Sequence, residues 1–541
     1  MTTIGYPYAL PTTANVSFQE FLAPHAQYHQ PLSDATAFRG RLRTALKEHK
    51  HSDRHDLMNV QSALEDYIPL LFGLVAGIDS TELRLTSDVE TTWRCTISNL
   101  ALTTKQPRIK QKSIHYEAIF TLLTLGYVLM DRANEYSNAV QNKIQIAIGD
   151  IPNYPGFHSG EGASLGFVSN SSGHSHSKSS HNHTNSNNSN SAGSSPGTTG
   201  LGGSVSAASA AAAQAGSRLL KKTGISSSAI SSASKKSTKS PSNTIGEFTD
   251  YLNDEELAGM DHQLTTAADL YCKAAGVFEY VVQEMIPKWN DAPNDSKKLT
   301  PESSRPVDVQ TSVVSAHVKL ALAEAHACTV RKAAIKAARA SAAKQSSTAG
   351  TASPVGSGSK TSYVLLAKLT IGVKEEYERA YGLLKSVKDL NEISSDFRAH
   401  VKDAKIYYEA MAQTFLGLDA YEAQHYGKAI GFMSIARASF SALAKSSKAS
   451  TIAHASAFEF RLANEKVFAF EKINNSVTFE QIPVHAALMA VMPSGRDLLS
   501  AKKYFAPRPS FGTAATAVDA SQAGTGDGVS KLAYALQGAY F

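Results

Sequence analysis

Apolar residues recur along most of this chain at a spacing of three or four, the signature of amphipathic helices. The clearest run is Tyr407 to Leu443. Its first half places Tyr407, Ala410, Met411 and Leu418 on one helical face, and its second half places Tyr426, Ala429, Ile430, Met433, Ala436 and Phe440 on another. The polar turn Glu422 to His425 lies between them, and Gly417, Ala420, Ala429 and Ala436 are small enough for two antiparallel helices to approach closely. The spacing predicts a helical hairpin. The order Leu416, Gly417, Ala420, Ala429, Met433, Ala436 follows that of a tetratricopeptide repeat, with Ala420 in place of the aromatic and neither the first Trp nor the final Pro. The pattern occurs once, so it predicts no stacked solenoid.

The same period predicts helices over Phe38 to Ile78, with Pro69 as a possible kink, and over Tyr116 to Ala147. Further helices are predicted from Phe248 to about Pro287, from Val307 to about Lys344, and over Tyr363 to Val387 and Ile452 to Phe470. The first half of Tyr116 to Ala147 is apolar almost all round and is expected to be buried. Leu83 to Ile97, β-branched and aromatic around Trp93, is read as two or three short strands, and Val477 to Pro483 as an extended piece. Two tracts break the pattern. Residues 158–243 are dominated by Ser, Asn, Gly, Ala and His, and 346–359 by Ser, Gly and Thr. Both are expected to be disordered insertions, because they cannot bury enough apolar surface to offset the entropy of ordering. The expected organisation is one domain over 1–509 carrying these insertions, then a Gly/Ala-rich tail over 510–541.

Composition narrows the function. The net charge is +6, and 158–243 accounts for all of it with seven basic residues and one acid. The remainder lacks the basic stripe that nucleic-acid binding requires. Cys95, Cys272 and Cys328 are odd in number and far apart, which suits an intracellular protein without a disulfide framework or a paired metal motif. The longest apolar runs, Tyr67 to Ile78 and Ala118 to Met130, are shorter than the roughly 20 residues that span a bilayer. His174, His176, His181 and His183 could gather a transition metal, although low complexity explains them as well. There is no phosphate-cradling loop, zinc helix or nucleophile elbow, so the expectation is a protein that is not an enzyme and needs no cofactor.

Seven stretches in order resemble the Bro-one domain, the boomerang-shaped helical domain of ALIX and its relatives. They are Leu10-Pro11 with Val16-Ser17-Phe18, Leu64 to Leu71, Trp93 with Tyr116-Glu117-Ala118, Ala274 to Phe278, Leu320 to Ala325, Tyr426 to Ile430, and Val477 to Pro483, the last similar to the family's closing strand. The resemblance implies a mostly α fold with a tetratricopeptide-like hairpin and a small sheet. Within the family it is to members acting in the fungal ambient-pH response. It implies a cytoplasmic scaffold recruited through partners to the cell cortex, plasma membrane or endosomal membrane. The implied partners are other pH-signalling proteins and the C-terminal amphipathic helix of the filament-forming ESCRT-III subunit. Runner-up readings are a general endosomal-sorting adaptor or a scaffold that binds membrane directly. Matched positions imply a partner patch of Leu365, Leu369 and Val467, with Asp261 facing a basic residue of the partner helix. Thr265 and Thr329 depart from the ALIX pattern of a lysine and a phenylalanine. Ordinary core is the alternative role for the three apolar residues.

Overall fold

The structure is a computed structural model. It describes residues 4–25, 27–51, 56–99, 106–149, 252–291, 305–346 and 362–513. The chain divides into one unit of residues 1–158 with 240–541 and another of 159–239. The second lies outside the described residues, as do the His-rich tract, the expected insertions apart from Ser346, and the tail beyond Thr513.

The first unit is mostly helical. Helices α1 (His29–His51) and α2 (Leu57–Asp79) form a pair, with Asp56 capping α2 by accepting the Asn59 N–H at 2.9 Å. Pro69 sits inside α2 without ending it. Strands β1 (Glu90–Arg94) and β2 (Arg108–Lys112) pair antiparallel, with Trp93 opposite Ile109. Of the strands expected over Leu83 to Ile97, only β1 forms; Leu85 makes a single bridge to Leu22. Helix α3 (Ile114–Gly149) follows, with nearly every side chain of its first half buried, as the pattern predicts.

Helix α4 (Asp254–Tyr280) begins with a capping box between Asn253 and Glu256. It does not stop at Pro287. A π-turn over Val281–Met285 leads without a break into α5 (Ile286–Asp291), and Pro287, which has no N–H to donate, follows directly on the wider turn. Helices α6 (Thr311–Ser346), α7 (Tyr363–Lys385), α8 (Ser395–Glu422), α9 (Tyr426–Ser446) and α10 (Ser450–Ile473) pack each on the next, and α4 packs on α6. The expected hairpin is α8 and α9. Gly417 lets the carbonyl of Ala429 come within 3.3 Å of where a Cβ would sit, and Gln424 closes the turn at φ 62°.

After α10 the expected strand is absent. Asn474 folds residues 474–478 into a π-turn: its carbonyl accepts the Phe479 N–H at 2.7 Å, and its side chain bonds Thr478 and both backbone groups of Glu480. Phe479 is thereby held left-handed at φ 53°. Beyond the short helix α11 (His485–Ala490), an extended strap runs back over the helices. Arg496 N–H donates to Lys368 O on α7 at 3.1 Å, Lys502 N–H to Cys272 O on α4 at 2.9 Å, and Ser510 N–H to Pro69 O on α2 at 3.1 Å. Phe511 is buried against Gly73, so the packed body continues past the expected boundary at residue 509.

The N-terminal end is organised by buried charge. The Glu117 carboxylate on α3 accepts from Arg39 Nε at 2.8 Å, Trp93 Nε1 at 2.7 Å and the Tyr67 hydroxyl at 3.1 Å. Arg39 also donates to Ala14 O at 2.7 Å and Thr13 Oγ1 at 2.6 Å. Asp308, just before α6, accepts the N–H groups of Thr96, Ile97 and Ser98 at 2.7, 3.1 and 3.0 Å, together with the Ser98 hydroxyl. Because Arg39 and Glu117 are almost completely buried, losing one strands the other. Glu117→Leu is therefore expected to cost about 3–5 kcal/mol in urea unfolding, and Arg39→Met with Glu117→Leu less than either change alone.

Candidate functional site

Helices α4 and α7, each packed on α6, carry three of the four residues expected to bind a partner, Asp261, Leu365 and Leu369. Asp261 stands on α4 one turn before Thr265. From α6, Lys332 reaches Asp261 at 2.8 Å and donates to Thr265 Oγ1 at 2.8 Å, and Lys336 reaches the other Asp261 oxygen at 3.3 Å. Burial alone would raise the Asp261 carboxyl, but the two ammonium groups outweigh it and hold it below the usual carboxylate range.

Beside this ion cluster lies a cavity of about 530 Å³ between α4 and α6. Leu257, Ala258, Leu264 and Ile335 give it an apolar lining, and Asp261, Lys332, Lys336 and Arg339 bring charge to it. Arg339 is engaged with Asp254 and with Leu252 O. With Asp254 on Arg339 and Asp261 on the two lysines, three cations stand against two acids and leave the cavity one net positive charge. An apolar pocket with a few convergent polar groups is the usual form of a binding site.

The expected apolar patch is only partly assembled. Leu365 is half-buried at the start of α7 and open to a partner. Leu369, one turn on, is 5% exposed and belongs mainly to the core. Val467, at 0% exposed on α10, packs among helices α8 to α10 and offers no accessible surface of its own. Its helical period marks a buried face, and nothing in the period separates core from contact surface. Sequence reasoning missed Leu257, Ile335, Lys336 and Arg339 as one site. The available signal was Leu257 and Asp261 four apart on one helix and Lys332 and Lys336 four apart on the next.

The strap borders this face. It reaches α7 beside Leu369 through Lys368 O and then crosses α6, where His326 Nε2 accepts the N–H groups of Leu498 and Leu499 at 3.1 and 3.0 Å. It can lie so low because Gly372 and Gly276 leave no Cβ in its path: at Gly372 one would come within 2.6 Å of Arg496 O, and at Gly276 it would run into Lys502 O.

Residues 252–502, from the start of α4 into the strap, match the family model described as a BRO1-like domain. The chain is similar to the pH-response regulator protein palC of Emericella nidulans, with 35% identity over 153 residues, 24% of this chain and 30% of that protein. It is also similar to palC of Cryptococcus neoformans, with 32% identity over 131 residues, 24% of this chain and 26% of that protein. These alignments span less than a third of either relative. Among solved structures, an ALIX BRO1 complex with CHMP4C aligns over 94% of this chain and 98% of that one, at 12% identity and a TM-score of 0.49.

Burial lowers the affinity of His326 for a proton, Asp497 on the strap partly opposes this, and Arg379 on α7 adds to it. The neutral ring that accepts from the strap is thus the folded form. Its stabilisation is present above the ordinary value of 6.5 and is lost as pH falls through the lowered folded value. Amide hydrogen exchange at Leu498 and Leu499 should accelerate more steeply in acid than its intrinsic rate predicts. His326→Gln, which keeps an acceptor but does not titrate, should flatten that dependence.

Proposed function

We propose that this chain is a non-catalytic scaffold of a fungal ambient-pH response. It docks the C-terminal amphipathic helix of the filament-forming ESCRT-III subunit on the α4, α6 and α7 face and helps assemble the complex that activates the pathway's transcription factor by proteolysis. Similarity to palC proteins supports the pathway, and the BRO1-like domain supports the scaffold role. The observation that carries the partner assignment is the apolar cavity with charged walls between α4 and α6, together with the half-buried Leu365 on α7, the next helix packed on α6. A helix with leucine-type anchors on one face and acidic residues beside them would bury the anchors and meet Lys332, Lys336 and Arg339, the helix-in-groove mode of recognition. Asp261, already held by two lysines, then serves to position those lysines rather than to seek a basic partner. In this reading the protein is cytoplasmic and reaches the cortex or endosome through its partners.

The test is titration of the isolated ESCRT-III C-terminal helix onto the full chain. Leu365→Asp is expected to weaken binding by more than about tenfold with the melting curve unchanged, as for an interface hot spot. Leu369→Asp is expected to lower the melting temperature as well, because its side chain is mainly core. Unaltered affinity in Leu365→Asp would remove the α7 anchor and with it this docking mode.

A further inference from the structure

A second surface lies on the β1 and β2 pair. Among the described residues its strand order leaves one edge open. On the far side of β1, Arg94 N–H donates to Thr12 O at 2.8 Å and Ala14 N–H to Thr92 O at 3.1 Å, so both edges of β1 are occupied. Cys95 N–H donates to Pro107 O at 2.9 Å, which sets the phase of the ladder: residues 107, 109 and 111 bond to β1. The main-chain groups of Arg108, Lys110 and Lys112 consequently point outward, and among the described residues nothing pairs with them.

The side chains of Arg108, Lys110 and Lys112 share one exposed face, while Ile109 packs on the core. Arg94 stands directly opposite Arg108 in the register. Such a non-hydrogen-bonded pair is the closest position on a sheet, with Cα atoms about 4.5 Å apart, and like charges there cost stability. Burial lowers the proton affinity of Lys50, at the end of α1, and both arginines are near enough to add to this. The neighbouring carboxylate, Glu90, is engaged by Lys110. Arg94 Nε is buried with no acceptor among the described residues.

Lysines on an edge strand commonly guard it against wrong pairing. That role accounts for β2 but not for Arg94, which lies on the inner strand. We propose that the open edge of β2 accepts an extended acidic peptide of a partner protein as an added strand, with its carboxylates against Arg94, Arg108 and Lys50. Main-chain bonds to Arg108, Lys110 and Lys112 would set the register, and acidic residues at alternate positions would fall on the cationic face. This is strand addition, distinct from the helix docking proposed above and independent of it.

The test is fluorescence anisotropy of the full chain with a short labelled peptide alternating Glu and Val, set against its Gln and Val counterpart. The acidic peptide should bind and the neutral one should not. Arg94→Gln with Arg108→Gln should weaken binding by at least about tenfold, as loss of charge-assisted pairs does. Lys112→Pro removes an outward N–H without touching the β1 ladder, and should weaken binding several-fold more than Lys112→Gln, which removes only the charge. Circular dichroism should be the same for all variants. The proposal is overturned if neither peptide binds, if both bind equally, or if Lys112→Pro and Lys112→Gln behave alike. It is also overturned if the cations instead support flotation with phosphatidylserine vesicles that Lys112→Pro leaves intact, since the surface would then be one for lipid.

Discussion

The close passage of the strap over two glycines is the constraint on which the candidate site depends. Helices α4, α6 and α7 are consecutive layers, each touching its neighbour along one side, and side-by-side packing alone lets layers slide. Arg496, Leu498, Leu499 and Lys502 bond across all three. Gly372 and Gly276 admit backbone where any side chain would push it away. Cys272 on α4, His326 on α6 and Lys368 on α7 are thus tied along one strap, which fixes how far Asp261 on one helix stands from Lys332 and Lys336 on the next.

The other end of the unit solves a different problem. Glu117 and Asp308 are carboxylates without solvent, and each is matched to several donors rather than one. A buried acid costs several kcal/mol unless its lone pairs are filled. Filling them obliges α1, α2, β1 and α3 to meet around Glu117, and the exit of β1 to meet the start of α6 around Asp308. Hydrophobic packing is tolerant of small shifts, whereas these bonds are not, so they select one arrangement from the many that a greasy core would accept.

What could be read from the chain follows from what is local. The hairpin of α8 and α9, the buried first half of α3 and the helical reach of α6 and α7 were legible because periodicity encodes which face is covered. The exposure of Val467 was not, because a helix between two others is apolar on faces that only the fold can tell apart. Val477 to Pro483 has strand composition, yet the Asn474 side chain offers its backbone nearer partners and wins. The strap has no period at all, since it is held largely by its main chain, which passes over glycines and donates to the His326 ring. The cavity was half legible: each pair of residues stood at helical spacing, but only the packing of α4 on α6 brings the two pairs together.

Asp308 has one more consequence, and it concerns time. The amides it holds at Thr96 are 212 residues earlier in the chain. At about 5–20 residues per second, a ribosome leaves that turn waiting for its acceptor on the order of ten to forty seconds. Throughout that interval the β hairpin is incompletely tied and its outer edge is open to any strand nearby. The cationic row on β2 repels copies of itself emerging from neighbouring ribosomes, so the same charges that suit an acidic guest also protect the nascent chain from its own kind.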